Sequence, residues 1–345
     1  MRQKGADMNI SYRTRQFIRR IATTGLTVAV VAALATVVGL LWVRRFAVYT
    51  DQGVQLQFSP KPSGEAVLPQ PPDTLPTVPI HFDDSPFREG LSQLNGYYIA
   101  AESLMKDPSA VQDYLQNLPA GTPVMVDLKG YRGYFYYPST VGLTTSGSYD
   151  MEKMKQFLSW LTDSNLYVIG RISTLRDFDY AYHDGSCGLA LKSGALYSDR
   201  GSYGLGYWLD PTNVKVQNYL IQVVKEIRGL GFDEVVLQNF CFPETDSLAF
   251  TGDKAAALQG AANVLIAACR TEEFTLSFSG SDPGFQLPDE LCRLYLEDIP
   301  PENAQSAWDD SDIEDKRVCL VFITPGTDTR YELENGILRT LNIVN

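Results

Sequence analysis

From about residue 81 onward, short apolar runs alternate with stretches in which apolar positions recur every three or four residues. Short runs of apolar and β-branched residues are typical of strands that are buried on both faces of a parallel sheet. Seven runs are predicted as strands, at residues 94–100, 123–129, 166–172, 233–239, 274–279, 292–297 and 317–323.

Stretches with helical periodicity separate these strands. Asp150 is a predicted helix N-cap, because an acidic residue precedes an amphipathic segment there. Helices are predicted at residues 108–117, 150–163, 213–228, 254–270, 301–315 and 328–341. Repeated strand-then-helix units over residues 81–345 predict an α/β fold, a parallel TIM-like barrel of seven or eight units. The alternative is an open doubly wound sheet, which is disfavoured because no Gly-rich phosphate turn follows the first strand.

The N-terminal part has a different pattern. Ile21 to Val43 is a run of 23 residues without a charge, long enough to cross a bilayer at roughly 1.5 Å per residue. Six basic residues and one acidic residue precede it, which predicts a cytoplasmic tail at residues 1–20 and an extracytoplasmic C-terminal domain. The run is too long for a cleaved signal peptide, so it is predicted to be a signal-anchor in the cell membrane.

A linker is predicted between this span and the barrel, at residues 44–80. Seven of the 21 residues from Ser59 to Pro79 are proline, a composition that favours an extended, semi-rigid spacer. Residues 46–345 carry 21 basic and 40 acidic side chains. Such an acidic domain would repel phosphate, so nucleic acid is excluded as a partner, whereas neutral or cationic partners suit it.

Cysteine and histidine are few. The five cysteines follow no metal-binding spacing, and the chain has only two histidines, so no metal and no cofactor is expected. Cys292 and Cys319 lie within apolar runs and are interpreted as small buried hydrophobic residues.

Candidate chemistry lies at the carboxyl ends of the predicted strands, where barrels of this class keep their working residues. The second strand ends with Asp127 and Lys129, which a period of two places on one face, pointing into the barrel. They could bind a substrate hydroxyl or position a proton, or they could simply pair with each other. Asp127 is the candidate catalytic residue.

The third strand and the loop after it supply further candidates for substrate binding. Arg171 has the inward parity of its strand, and Asp177 lies in the loop beyond. The long loop that follows is rich in aromatic residues, which either stack on sugar rings or serve only in packing. They are Tyr180, Tyr182, Tyr197, Tyr203, Tyr207 and Trp208.

Trp208 and Asp210 are also assigned to substrate binding, although Asp210 before Pro211 could equally be a helix cap. Gln238 occupies the tip of the fourth strand and is the last substrate-binding candidate. A glycosidase usually needs two carboxylates across the scissile bond, and the strand tips offer Asp127 and Glu297 as a pair, on opposite walls of the barrel.

These motifs together resemble the bacterial family of putative glycosyl hydrolases, TIM-barrel domains of uncharacterised activity. The resemblance rests on Asp127 with Lys129, on Arg171 with Arg176 and Asp177, on Trp208-Leu-Asp-Pro211, and on Gly231 to Glu234. Tyr219, Glu226 and the pair Phe242-Pro243 agree with it as well.

The resemblance also implies an Asp at position 238 and an Arg at position 241, where this chain has Gln238 and Cys241. Because an amide cannot act as a nucleophile or a general acid, catalysis could be lost or altered. The expected function is that of a membrane-anchored, glycoside hydrolase-like protein that cleaves or binds envelope carbohydrate. The alternatives are a glycan-binding pseudoenzyme or a tethered scaffold for envelope proteins.

Overall fold

The computed structural model describes residues 47–50, 53–56, 91–143, 150–201, 204–282, 285–287 and 292–341. The predicted transmembrane helix, Ile21 to Val43, and most of the predicted linker lie outside these ranges, so both stay predictions. Within the ranges that are described, no helix has the length and hydropathy needed to cross a membrane. The chain divides into two compact units, Met1–Phe82 and Asp83–Asn345.

In the first unit, strands β1 (Ala47–Thr50) and β2 (Gly53–Leu56) form an antiparallel hairpin, with Ala47 opposite Leu56.

The second unit is a closed barrel of eight parallel strands. The strands are β3 (Asn95–Ile99), β4 (Pro123–Lys129), β5 (Tyr167–Ser173), β8 (Glu234–Gln238), β9 (Thr275–Gly280), β10 (Leu294–Leu296), β11 (Leu320–Thr324) and β12 (Gly336–Thr340). They follow one another around the barrel in this order, and β12 closes it against β3. The predicted TIM-like barrel is therefore confirmed, with eight units. A separate antiparallel hairpin, β6 (Ser198–Gly201) and β7 (Gly204–Tyr207), lies in the long loop after β5.

The eighth strand corrects the prediction of a helix at residues 328–341. Only Thr329–Tyr331 forms a helical turn there, and Gly336–Thr340 is strand β12. The barrel needs a partner for the free edges of β11 and β3, and pairing with both edges outweighs the helical preference of the segment. The close approach of the strands favours Gly336, because a Cβ there would lie 2.9 Å from Cγ2 of Val321.

Helices cover the outside of the barrel, and most predictions of them are confirmed. They are Ala101–Lys106, Pro108–Leu115, Met151–Thr162, Phe178–His183, Val214–Gly229, Lys254–Cys269, Ala304–Asp310 and Lys316–Cys319. Asp150 is an N-cap as predicted, since its carboxylate accepts a hydrogen bond from the backbone N–H of Lys153 at 3.1 Å. The segment predicted as one helix at 301–315 is a helical turn, Pro301–Asn303, followed by the short helix Ala304–Asp310.

Two apolar layers form the core. Side chains such as Met125, Ile169 and Val236 fill the barrel interior. A larger layer packs the outer faces of the strands against the helices. Cys292 and Cys319 are buried among apolar side chains, as the sequence predicted.

Candidate functional site

Asp127 lies at the end of β4 and points into the barrel, as its parity predicted. Its Oδ2 accepts hydrogen bonds from the hydroxyl of Tyr98 at 2.9 Å and from the backbone N–H of Ala101 at 3.2 Å. Its Oδ1 contacts Nε of Arg171 at 2.7 Å. Three donors therefore hold this carboxylate in a fixed orientation at the mouth of the barrel.

Arg171, on β5, joins the two carboxylates that the sequence offered as a pair. Its Nη1 lies 2.5 Å from Oε2 of Glu297, while its Nε contacts Asp127. β4 and β10 stand opposite each other in the barrel, so the guanidinium spans the barrel interior between them.

The environment of Arg171 keeps it charged. Burial alone would lower the pKa of its guanidinium, but Asp127, Tyr98 and Glu297 together raise that pKa well above its ordinary value. The guanidinium also donates to the hydroxyl of Tyr98 and lies 4.4 Å from the centre of its ring. Burial, followed by the charge of Asp127, raises the pKa of Tyr98, so this phenol stays a hydrogen-bond donor.

Glu297 follows β10 and accepts two further hydrogen bonds. Nε2 of Gln238 lies 3.1 Å from its Oε2, and the hydroxyl of Ser279 lies 2.9 Å from its Oε1. Gln238 is the last residue of β8, and Ser279 is the last but one of β9. A continuous polar cluster therefore crosses the barrel mouth, and it consists of Tyr98, Asp127, Arg171, Gln238, Ser279 and Glu297.

Lys129 does not belong to this cluster, contrary to the prediction from parity. A β-bulge between Asp127 and Lys129 adds one residue to β4, so Lys129 pairs with Ile172 rather than with Ser173. Ile172 packs in the layer between strands and helices, and Lys129 faces that layer too. The inserted residue thus reverses the side of the sheet on which Lys129 lies.

Asp177 joins Lys129 in a buried ion pair on the outside of the barrel. Nζ of Lys129 lies 2.8 Å from Oδ2 of Asp177, with both side chains fully buried, and also donates to the carbonyl of Ser173. The hydroxyl of Tyr219 donates to the same Asp177 oxygen at 3.0 Å, and Oδ1 accepts from the N–H of Tyr180. These contacts fasten β4, the loop after β5 and the helix Val214–Gly229 together. A cavity lies at the barrel mouth, beyond the carboxyl ends of β8, β9 and β10, and neither Lys129 nor Asp177 lines it.

Trp208 lines that cavity and is only 5% exposed. The guanidinium of Arg176 lies between the rings of Trp208 and Tyr131, at 5.8 and 4.2 Å, and pairs with Asp199 at 2.7 Å. The indole Nε1 of Trp208 is buried and has no hydrogen-bond acceptor among the described residues.

Asp210 lies before a turn rather than at a helix start. Its carboxylate accepts hydrogen bonds from the N–H and the hydroxyl of Thr212, and the N-cap of the helix Val214–Gly229 is Asn213. Asp210 therefore shapes the turn that follows Trp208, and it does not line the cavity.

The predicted aromatic loop divides between packing and cavity. Tyr180 stacks on Tyr219, and Tyr182 and Tyr207 both stack on Phe178. Tyr197 lines the cavity together with Trp208, whereas Tyr203 lies outside the described residues.

The cavity has a volume of about 660 Å³ and lies beyond the carboxyl ends of β8, β9 and β10. Gln238, Ser279 and Glu297 contribute to its wall. Asn239 and Asp298, which directly follow Gln238 and Glu297, both have left-handed backbones, with φ of 55° and 59°. Left-handed residues other than glycine carry a backbone cost and are concentrated at functional sites.

Within the described ranges, no group of three or more His, Cys, Asp or Glu side chains has the geometry of a metal site. Tyr98 and Ser279 were not among the site residues predicted from the sequence, although both contact the cluster's carboxylates. Parity along β3 and β9 could have placed both inside the barrel, since each lies close to the carboxyl end of its strand.

The sequence matches the model of one protein family over residues 96–271, just over half of the chain, and that family is described as "Putative glycosyl hydrolase domain". The chain belongs to this family. The resemblance inferred from its motifs is therefore confirmed. Among curated proteins, no sequence matches the chain.

Three solved structures are similar to parts of this chain. A hypothetical protein from Ruminiclostridium thermocellum is 24% identical, with a TM-score of 0.45, and the alignment covers 53% of this chain and 96% of that one. A GH36 α-galactosidase from Geobacillus stearothermophilus in complex with stachyose is 9% identical, with a TM-score of 0.52 over 75% of this chain and 40% of that enzyme. An α-galactosidase from Thermus thermophilus, also with stachyose, is 12% identical, with a TM-score of 0.39 over 56% and 42%. This chain spans less than half the length of the two α-galactosidases, and the likeness to the GH36 enzyme concerns the fold alone.

Proposed function

We propose that this chain is a membrane-anchored, extracytoplasmic protein that binds envelope carbohydrate in the cavity at the mouth of its barrel. Membership of the glycosyl hydrolase domain family supports carbohydrate as the ligand. The cavity supports a binding site, because its volume is in the range of small-molecule pockets, roughly 300–1,000 Å³, and its wall mixes aromatic faces with a few polar groups. The charge-free run from Ile21 to Val43 supports the membrane anchor.

The contact between Gln238 and Glu297 is the observation that favours binding over cleavage. Glycoside hydrolysis needs one carboxylate as acid and another as nucleophile or base. At the tip of β8, where the family resemblance implies an Asp, this chain has an amide that donates a hydrogen bond to the carboxylate of Glu297. An amide can orient a sugar hydroxyl but can neither attack the sugar nor exchange a proton with it at neutral pH.

Hydrolysis by a relocated pair of carboxylates is the second candidate function. The observation in its favour is that Arg171 brings Asp127 and Glu297 together at the barrel mouth. In that case Asp127 would serve as acid or base, and substrate entry would have to displace Arg171 from one of the two carboxylates.

Reducing-end release from envelope polysaccharides, measured beside binding to the same polysaccharides, tests both candidates. The full chain in detergent is compared with Asp127→Asn, Glu297→Gln and Trp208→Ala variants. We expect saturable binding that Trp208→Ala weakens, without release of reducing ends. Release that disappears in Asp127→Asn would establish the second candidate instead. Absence of binding and of release would refute both, and stoichiometric protein partners would then favour a scaffold.

The proposed orientation has its own test. In intact cells, protease added from outside should digest the domain at residues 81–345 while an N-terminal tag remains protected. Protection of both ends until the membrane is broken would contradict the anchor as proposed.

A further inference from the structure

The hairpin β6–β7 contributes one wall of the cavity at the barrel mouth. Tyr197, which directly precedes β6, and Asp199, within β6, both line that cavity. Strand β7 is tied to the loop after β5 through the backbone, since the N–H of Asp177 donates to the carbonyl of Tyr207 at 2.9 Å. For β6, the side chain of Asp199 makes a link to the same loop, and its partner there is Arg176.

Arg176 holds Asp199 in one orientation. Its Nε and Nη2 both donate to Oδ1 of Asp199, at 3.0 and 2.7 Å. The guanidinium lies 4.2 Å from the ring centre of Tyr131, and the Arg176 side chain is only 14% exposed. A planar guanidinium that stacks on a ring and donates twice to one carboxylate has little freedom to move. The orientation of Asp199 is therefore set by a residue that does not itself line the cavity.

Two glycines of the hairpin make room for this guanidinium. A Cβ at Gly206 would lie 2.7 Å from Nε of Arg176, and a Cβ at Gly201 would lie 2.8 Å from its Nη2. Neither glycine has a left-handed backbone, so the close approach of Arg176, and not the local conformation, requires glycine at both positions. The hairpin is thus shaped to receive this one arginine side chain.

The pairing leaves one oxygen of Asp199 for another donor. Oδ1 accepts both hydrogen bonds from Arg176, whereas Oδ2 has no hydrogen-bond partner in the described part of the chain. The Asp199 side chain is 31% exposed and lines the cavity. An ionised carboxylate accepts hydrogen bonds on both oxygens, and a hydroxyl can donate one. Because Arg176 compensates the charge of Asp199, a neutral hydroxyl is a sufficient second partner for this carboxylate.

We propose that Arg176 is a positioning residue of the carbohydrate site, which holds β6 so that Oδ2 of Asp199 accepts a hydrogen bond from a hydroxyl of the bound sugar. This inference rests on the proposed function and names the contact through which the hairpin takes part in it. Arg176 does not touch the ligand, so its contribution to affinity passes through Asp199.

Calorimetric titration of the full chain in detergent tests this role, with oligomers of glucose, of N-acetylglucosamine and of galacturonic acid as probes. The variants are compared on the probe that the natural chain binds most tightly. We expect Arg176→Gln to weaken that binding roughly tenfold or more, because a hydrogen bond to a charged group is lost. The matched control is Lys215→Gln, which breaks an ion pair with Asp184 of the same 2.7 Å length, away from the cavity lining. It should leave the affinity unchanged.

A double-mutant cycle separates positioning from a general loss of structure. Asp199→Ala should weaken binding about as much as Arg176→Gln, and the double variant should bind no more weakly than either single variant. If Arg176 acted independently of Asp199, the two losses would add instead. Thermal unfolding of each variant establishes that it is folded at the temperature of the titration.

Gly206→Ala tests the same role without removing a hydrogen-bonding group, and it replaces Arg176→Gln if that variant does not fold. The added methyl takes the space of Nε of Arg176 and moves the guanidinium away from Asp199, so binding should weaken. Its control is Gly185→Ala, because the nearest atom to a Cβ there lies at an ordinary contact distance of 3.7 Å. Binding by this control should not change.

The outcomes distinguish the positioning role from carbohydrate binding itself. Unchanged affinity in Arg176→Gln and Gly206→Ala, or losses that add in the cycle, overturns the positioning role while carbohydrate binding stands. If the natural chain binds none of the three probes and no envelope polysaccharide, carbohydrate binding is overturned, and the positioning role with it.

Discussion

At the scale of single residues, the proposed choice of binding over cleavage rests on Gln238, where the family resemblance implies an Asp. A carboxylate there would lie next to Glu297, at the place where the amide now donates its hydrogen bond. Two carboxyl groups that close cannot both be ionised easily, so one of them would keep its proton and could serve as a general acid.

We therefore expect the Gln238→Asp variant to release reducing ends from a polysaccharide that the natural chain binds without cleaving. Reducing-sugar assays over a range of pH measure this, with Gln238→Glu as a control whose longer side chain misplaces the carboxylate. Binding without any release by Gln238→Asp would show that more than this one carboxylate is missing.

Arg171 is the second decisive residue, because it compensates two buried carboxylates at once. Its side chain is 11% exposed, and those of Asp127 and Glu297 are 14% and 12% exposed. Removing one partner of a buried ion pair leaves an uncompensated charge and typically costs about 3–5 kcal/mol.

Arg171→Met should lower the free energy of unfolding in urea by about that amount. The matched control is Arg330→Met, which breaks the exposed pair with Asp328 and should have a far smaller effect, because solvent screens exposed ion pairs. Equal effects of the two substitutions would contradict the assignment of Arg171 as the bridge across the barrel.

At the scale of elements, the sequence predicts strands far better than it predicts local irregularities within them. The seven strand predictions succeed because buried parallel strands are short apolar runs, a signal that residues near in sequence carry. β12 was missed because its pairing with β11 and β3 depends on barrel closure, which is a long-range effect.

In the site, too, local sequence patterns predict some features, whereas features that depend on long-range contacts are not predicted. Asp127 and Arg171 point inward as alternation predicts, whereas Lys129 does not, because a bulge leaves no mark in the residue pattern. The bridging of Asp127 and Glu297 by Arg171 joins three separate strands, and no local pattern encodes it.

The loop after β4 is held by a single carboxylate on a helix. Glu226, on the helix Val214–Gly229, accepts hydrogen bonds from the hydroxyls of Tyr137, Ser139 and Thr140 and from the N–H of Thr140, at 2.5–2.7 Å. Burial opposes ionisation of Glu226, but these donors outweigh it and lower its pKa below the ordinary value. Because the folded-state pKa is lowered, this contribution to stability is present above the pKa of the unfolded chain, about 4.3, and is lost as the pH falls below it.

Glu226→Gln should therefore reduce the free energy of unfolding by roughly 1–3 kcal/mol at pH 7 and by less at acid pH. Urea titrations across the acid range measure the trend. Glu152→Gln is the control, an exposed residue of the helix Met151–Thr162 that should show little effect at any pH. A difference that grows toward acid pH would have the wrong sign and would refute the role of Glu226.

At the scale of the whole molecule, the two ends of strand β8 have different expected roles. Its start contributes to stability, and its end contributes to ligand binding. At its start, the fully buried Glu234 pairs with Arg293 at 2.5 Å and accepts hydrogen bonds from Tyr167 and Tyr295. At its end, Gln238 lines the cavity. The amino-terminal end of a barrel strand generally serves stability and the carboxyl-terminal end serves chemistry.

Substitutions four residues apart on this strand should therefore have opposite consequences. Glu234→Gln leaves Arg293 buried without a counter-charge, so it should cost about 3–5 kcal/mol of stability while the folded protein keeps its affinity for glycan. Gln238→Leu removes one hydrogen bond, since Arg171 and Ser279 still hold Glu297, so it should cost only about 1–2 kcal/mol yet weaken glycan binding strongly. Urea unfolding and calorimetric titration of both variants measure the two quantities independently. Loss of affinity in Glu234→Gln at temperatures where it is fully folded would mean that the two ends of the barrel are coupled, and the division of roles along β8 would fail.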